Sequence, residues 1–329
     1  MGKGNQTCVT EIELLGFSDF QSLKVLPFVL VFTFYVMALV GNTLIVIVTI
    51  TDSALQTPMY FFLRNLSFLE ICYTSVTLPK MLVNLLSETQ TISFAGCAAQ
   101  MCFFALFGIT ECCLLSVMAY DRYVAICHPL QYTLSMNQMV CAWMAAGSWT
   151  IGILVAFGHT ISIFTLPFCG SNRISHFFCD VFPVMRLAST DTHKNEVAIT
   201  TTTVLFILSP FLLILLSYSL IITTILRMPS AEGRHRAFST CSSHLIVVSL
   251  FYGTAILIYM QPSSVQSQGS DRFLSLVYTV LTPTFNPIIY SLRNKEIKCA
   301  LRNTIGASKL VPFTRHHTNQ ATCVSLAVK

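Results

Sequence analysis

The sequence predicts an all-α membrane protein: a bundle of seven transmembrane helices with a short amphipathic cytoplasmic helix after the seventh. Of its 329 residues 54% are hydrophobic and only 10% are charged, with a mean hydropathy of +0.68. A soluble domain carries about 25% charged residues. The chain also holds seven apolar stretches of about 20 residues or more, the length a helix needs to cross a bilayer. Barrel strands would be about 10 residues long with alternating polarity, and these stretches are apolar on all faces.

The predicted spans run from Lys24 to Ile50, Pro58 to Leu86, Gly96 to Cys127, Met139 to Phe164, Glu196 to Leu226, Arg236 to Gln261 and Arg272 to Leu292. Residues 1–23 form an extracellular segment, 24–292 the seven-span domain and 293–329 a cytoplasmic helix and tail. The connections are expected to be short and polar, leaving no room for a separate soluble domain. Met1 to Gln21 has scattered charges and no apolar core before a cleavage site, so the first span is expected to act as its own insertion signal. Gly2 lacks the downstream Ser or Thr of a myristoylation signal.

Orientation follows from the basic residues. With the N-terminus outside, seven of the 19 Lys and Arg fall outside and twelve inside, in the sense of the positive-inside rule. Asn5-Gln6-Thr7 is a glycosylation acceptor pattern and asks for a lumenal N-terminus. Asn65-Leu66-Ser67 matches too, but lies too deep to be used.

Polar residues inside spans are costly and therefore informative. Glu70 and Glu111 fall near the middle of their spans, which marks either function or shared protonation. Arg122 closes the third span beside Asp121; it is either an interfacial anchor or a charge paired for a purpose. Pro287 removes a hydrogen bond from the seventh span and is expected to kink it, and Asn286 beside it can satisfy the freed carbonyls or a water. Most of the 13 cysteines lie in spans or on the reducing face, where the thiol acts as a small hydrophobe. No metal or nucleophile constellation is evident among His176, His193, His235 and His244, and His316-His317 reads as a solvated pair. A secondary transporter would show internal repeats and paired broken helices, and neither is visible.

The third span ends in Met118-Ala119-Tyr120-Asp121-Arg122-Tyr123-Val124-Ala125-Ile126-Cys127, and Leu55 to Leu63 reads Leu-Gln-Thr-Pro-Met-Tyr-Phe-Phe-Leu. Further along stand Gly41-Asn42, Ser217-Tyr218, the run Arg236 to Leu245 and the run Pro283 to Asn294. From about Leu15 to Arg302 the chain resembles the olfactory receptor branch of the rhodopsin-like G-protein-coupled receptors. Gln56 departs from the family's usual His, and Glu70 from its usual Asp.

The resemblance implies an odorant receptor, not an enzyme. Its expected partners are a small odorant, a heterotrimeric G protein of the stimulatory or olfactory type and membrane lipid, with no nucleic acid. The expected location is the plasma membrane, in cilia of olfactory sensory neurons. By family position the ligand contacts are Phe104, Ala105, Gly108, Ile109, Thr202, Phe206, Tyr252, Ala255, Tyr259 and Thr279, each of which singly also reads as bundle packing. No carboxylate appears among them. Amine receptors place Asp where this chain has Phe104, so the pocket suits neutral, largely apolar volatile molecules. Phe251-Tyr252-Gly253 replaces the Trp-containing turn of most rhodopsin-like receptors, making Tyr252 the expected ligand sensor. A peptide or lipid receptor would share the fold and differ in the pocket.

For signalling, the resemblance makes Arg122 a switch with Asp121, Tyr123, Tyr218, His244, Asn286, Pro287 and Tyr290, and brings the G protein to Arg234-His235-Arg236. That basic run also suits lipid headgroups. The resemblance pairs Cys97 with Cys179. Cys169 departs from the family, since Ser189 stands at its usual partner's position, leaving it free or pairing with Cys8. It also brings Glu70 and Glu111 together near Asn286, where they hold either sodium or another cation, or a shared proton; no other cofactor is expected.

Overall fold

In a computed structural model the described residues are 9–16, 24–259, 274–293 and 295–307. Six helices are each long and apolar enough to cross a membrane: α1 (Val25–Thr51), α2 (Pro58–Leu86), α3 (Phe94–Cys127), α4 (Gln138–Phe164), α5 (His193–Leu226) and α6 (Ala231–Tyr259). The seventh, α7, passes through a π-helical turn at Val277–Leu281 into Thr282–Arg293, and α8 (Lys295–Ala307) follows it. The seven-helix expectation holds, with boundaries displaced where local chemistry extends a helix past its apolar stretch. Ser93 caps α3 by accepting the Gly96 amide at 3.1 Å, and Asn137 caps α4 by accepting that of Val140 at 3.0 Å. α6 starts at Ala231 because its first turns, with Glu232 and Arg234, continue beyond the apolar run.

Large apolar side chains cover the outside of the bundle, among them Phe32 on α1, Trp143 and Leu154 on α4, and Leu212, Leu213 and Leu216 on α5. An apolar belt of this extent fits lipid as the surrounding solvent. α3 is the most buried of the six long helices and α5 the least, so α3 forms the centre of the bundle. Gly152 lets α4 lie against α3: a Cβ there would collide with Thr110 Oγ1 and sit 2.8 Å from the Leu106 carbonyl. α8 is joined to the bundle by buried Ile297 and Ala300 and by the Tyr60 hydroxyl, which donates to Glu296 at 2.5 Å.

Four prolines shape the helices. Pro210 and Pro283 each lack the amide that would bond four residues back, and the segments preceding them, Val204–Leu208 in α5 and Val277–Leu281 in α7, are π-helical. Pro287 withdraws its amide from the Pro283 carbonyl. The expectation that Asn286 would answer that carbonyl is corrected: Asn42 of α1 donates to it at 3.2 Å, while Asn286 turns to Glu70. In α2, the Val76 carbonyl just before Pro79 accepts from Gln100 Nε2 of α3 at 3.1 Å.

The connection between α4 and α5 departs from the short, polar expectation. It spans residues 165–192, contains a strand and the five-residue helix Val181–Met185, and buries Phe168, Ile174, Phe177, Phe178, Val181, Val184 and Met185. Strand β1 (Glu11–Leu14) pairs antiparallel with β2 (Thr91–Ser93) and parallel with β3 (Arg173–Ile174). Ile12 and Leu14 of β1 are fully buried in a second core with Cys97, Met101, Phe168 and Cys179. This small sheet and the loop cover one end of the bundle.

Candidate functional site

Beneath that cover, between α3, α5, α6 and α7, lies a cavity of about 90 Å³. A single water needs roughly 10–15 Å³ on such a measure, so the space suits a small organic molecule. α3 contributes Phe104, Ala105, Gly108, Ile109 and Cys112; α4 His159; the loop Asp180 and Val181. α5 adds Ile199, Thr202, Thr203, Phe206 and Ile207, α6 adds Phe251, Ala255 and Tyr259, and α7 adds Tyr278. Both π-helical turns therefore present side chains to the cavity: Phe206 and Ile207 from one, Tyr278 from the other. Gly108 leaves the room, since a Cβ there would stand 3.3 Å from the Tyr278 hydroxyl.

Eight of the ten expected contact residues line this cavity. Tyr252 and Thr279 do not: Tyr252 donates to the Cys112 carbonyl at 3.0 Å and stacks on Phe211, and Thr279 donates to the Ser275 carbonyl at 2.6 Å. Phe104 sits in an aromatic cluster, its ring centroid 4.7 Å from Phe178 and 5.0 Å from Tyr73. The expectation of a wall without a carboxylate is corrected by Asp180. That residue comes from the loop, where no helical periodicity could have located it; only its place beside Cys179 hinted at the cavity.

Several ties hold the loop over the cavity. Cys97 and Cys179 are disulfide-bonded, and Gln100 accepts the Cys179 amide at 2.9 Å. His176 bridges the Phe178 carbonyl (3.1 Å) and Ser275 of α7 (3.0 Å). Tyr259 of α6 donates to both Asp180 oxygens at 3.3 Å, and the Val181 amide donates to Oδ1 at 2.7 Å. Burial pushes the Asp180 carboxyl up to about 6, against the opposing pull of these two donors. On the opposite wall the His159 Nε2 and Thr202 hydroxyl lie 2.7 Å apart. The Cys169 amide donates to Ser189 Oγ at 3.0 Å, a tie between the two positions for which the resemblance implied a cysteine pair. Cys8 and Asn5 lie outside the described residues.

Deeper in the bundle, Glu70 of α2 and Glu111 of α3 adjoin one another, and Asn286 Nδ2 of α7 donates to Glu70 Oε1. Glu70 is fully buried and Glu111 nearly so. Glu70 Oε2, Glu111 Oε1 and Asn286 Oδ1 are buried and accept no N–H or hydroxyl, and the two carboxyls lie within hydrogen-bonding reach of one another, where a proton on one serves both. An all-oxygen set of this kind suits a hard cation.

At the far end of α3, Asp121 accepts from Tyr132 at 2.9 Å and neighbours Arg122, whose charge acts on it. Tyr132 belongs to the short helix Tyr132–Ser135. The Tyr218 hydroxyl meets His244 Nδ1 at 2.7 Å, and the buried Tyr290 hydroxyl makes no hydrogen bond. The Arg122 charge is felt at Tyr218, His244 and Tyr290, so α3, α5, α6 and α7 converge on it. Tyr123 points elsewhere, to His128 at 3.0 Å. Arg236 lies in the first turns of α6.

Residues 31–307, most of the chain, match the family described as olfactory receptor. The chain belongs to the olfactory receptor family. The receptor is 57% identical to olfactory receptor 10A7 of Homo sapiens over 92% of this chain and 95% of that one. It is 58% identical to olfactory receptor 10A4 of Homo sapiens over 93% of this chain and 99% of that one. With olfactory receptor 10P22 of Mus musculus it shares 51% identity over 92% of this chain and 97% of that one. Membership makes it a multi-pass membrane protein and an odorant-binding G-protein-coupled receptor, a non-enzymatic class.

Proposed function

We propose that this receptor binds small, mostly apolar volatile molecules in the cavity between α3, α5, α6 and α7, and activates a stimulatory heterotrimeric G protein to raise cyclic AMP. The observation that carries the reading is the cavity itself: small, walled chiefly by aromatic and aliphatic side chains, and about three turns of α3 from Arg122, counted from Cys112. An agonist shifts the balance of two arrangements by binding one more tightly. Arg122, Asp121, Tyr218, His244 and Tyr290 form the switch, joined by Asn286 and Pro287, with Tyr252 relaying from behind the cavity wall. Tyr123 and Arg236 belong to the face that meets the G protein. The receptor sits in the plasma membrane of olfactory cilia among membrane lipid, with its N-terminus and the α4–α5 loop outside and Asn5 glycosylated.

The test is cyclic AMP accumulation in cells carrying the receptor and a stimulatory G protein, screened against a broad odorant panel beside Arg122→Ala. A response from the wild type alone, with both at the surface, is the expected result. Silence from a surface-expressed wild type across the panel overturns the odorant reading.

The oxygen set of Glu70, Glu111 and Asn286 is proposed to hold a cation, sodium being the expected one. A cation there joins α2, α3 and α7 and opposes rearrangement of α7. Agonist potency should fall when sodium replaces choline in the medium, and Glu111→Ala should abolish that sensitivity; equal potency in both media refutes the site.

A further inference from the structure

Asp180 is a buried carboxyl with unused acceptor capacity facing the cavity. It is 4% exposed and lies on the cavity wall. A carboxylate offers about four acceptor positions. Here the Val181 amide fills one at 2.7 Å, and the Tyr259 hydroxyl shares itself between both oxygens at 3.3 Å. The groups that act on the carboxyl are these two donors, and neither is a cation. On the opposite wall the Thr202 hydroxyl is already engaged, meeting His159 Nε2 at 2.7 Å and the Ala198 carbonyl at 2.8 Å. The position is rigid, since Cys179 immediately before Asp180 is bonded to α3.

A ligand meeting this wall gains most by presenting a hydrogen-bond donor to the carboxyl and apolar surface to the rest. An ammonium group would have to shed its full hydration shell into a cavity of about 90 Å³ with mostly apolar walls, and such desolvation consumes much of the attraction. A hydroxyl gives up far less and still makes a charge-assisted bond.

We propose that Asp180 is the specificity-determining acceptor of this receptor and selects small apolar alcohols or phenols over analogues without a donor. The inference rests on the cavity being the odorant site. Tyr259 positions the carboxyl without itself being the acceptor.

The test compares agonist potency for size-matched pairs, each an aliphatic or aromatic alcohol and its methyl ether, on wild type, Asp180→Asn and Tyr259→Phe, with surface expression measured for each. Wild type should favour the alcohols by about tenfold or more, the scale of a hydrogen bond to a charged group. Asp180→Asn should bring the two within about twofold. Tyr259→Phe removes one of the two donors but keeps the carboxyl, which the Val181 amide and the Cys97–Cys179 disulfide still hold, so it should retain the preference. An alcohol preference that survives Asp180→Asn, or is lost only in Tyr259→Phe, overturns the assignment, as does equal potency of alcohols and ethers at wild type. A matched primary amine more potent than its alcohol also overturns it, in favour of a cationic ligand. A wild type that answers odorants outside the series only leaves the odorant reading standing and defeats this one; silence to all odorants defeats both.

Discussion

Asp180 carries a titration that separates the folded receptor from the unfolded chain. Its ordinary value of 3.8 rises to about 6 through burial. Below 3.8 both states hold the proton; between the two values only the folded receptor does; above about 6 neither does, and the cost of the buried charge is present in full, about 3 kcal/mol at 1.36 kcal/mol per unit. Acidification from pH 7.5 to 5 should therefore stabilise the receptor. Its thermal midpoint in detergent is expected to rise over that interval, and Asp180→Asn should show a smaller rise than wild type; parallel profiles would contradict the assignment. Gly152 offers a second test at the same scale. Leu in its place must push α4 off α3, an overpacking cost of about 1–3 kcal/mol, and surface expression should fall. Gly147 and Gly158 on the same helix have nothing within 4 Å, so Leu at either should be tolerated.

Within the helices, proline chemistry sets the irregularities. Asn42 answers the carbonyl that Pro287 abandons, so Asn42→Ala should lower stability by about 1–3 kcal/mol, the cost of a buried unsatisfied acceptor. In a Pro287→Ala background the amide returns and the same substitution should cost less. Thermal unfolding of the four variants in a double-mutant cycle measures that coupling, and strict additivity would mean the two residues are independent. The seven helices were legible because bilayer spans require long apolar runs, and the expected bounds of α2, Pro58 to Leu86, are those observed. The α4–α5 loop was not legible: its fold depends on a disulfide, a sheet with β1 and contacts to three helices, none of them periodic. Family position found eight of the 17 residues of the cavity wall and missed nine, among them His159 and Asp180. It also put Tyr252 and Thr279 in the wall: the π-helical turn at Val277–Leu281 changes which face of α7 looks inward at Thr279, and the Tyr252 hydroxyl of α6 is drawn behind the wall to the Cys112 carbonyl. Pro287 predicted a freed carbonyl, while the partner of that carbonyl lay 241 residues away in α1.

Across the whole molecule, one end is closed by a sheet built from three distant segments. Its ion pair, Glu13 with Arg173 at 2.8 Å, is partly solvent-exposed, and such pairs contribute little. Its two fully buried aliphatic side chains contribute far more. Glu13→Ala should leave surface expression near wild type, whereas Ile12→Asp should reduce it severely; flow cytometry of unpermeabilised cells distinguishes the two. The π-helical turn in α5 has a broader consequence. An α-helix is a single gear, and a shift at one end turns every tooth to the other. One additional residue in a turn advances the helix by about 100°, so the faces presented by the stretch that carries Ile199 and Thr202 and the stretch that carries Tyr218 are offset from one regular register while the helix still transmits movement between them. The upper teeth can be recut for a new odour while the lower ones still mesh with an unchanged transducer.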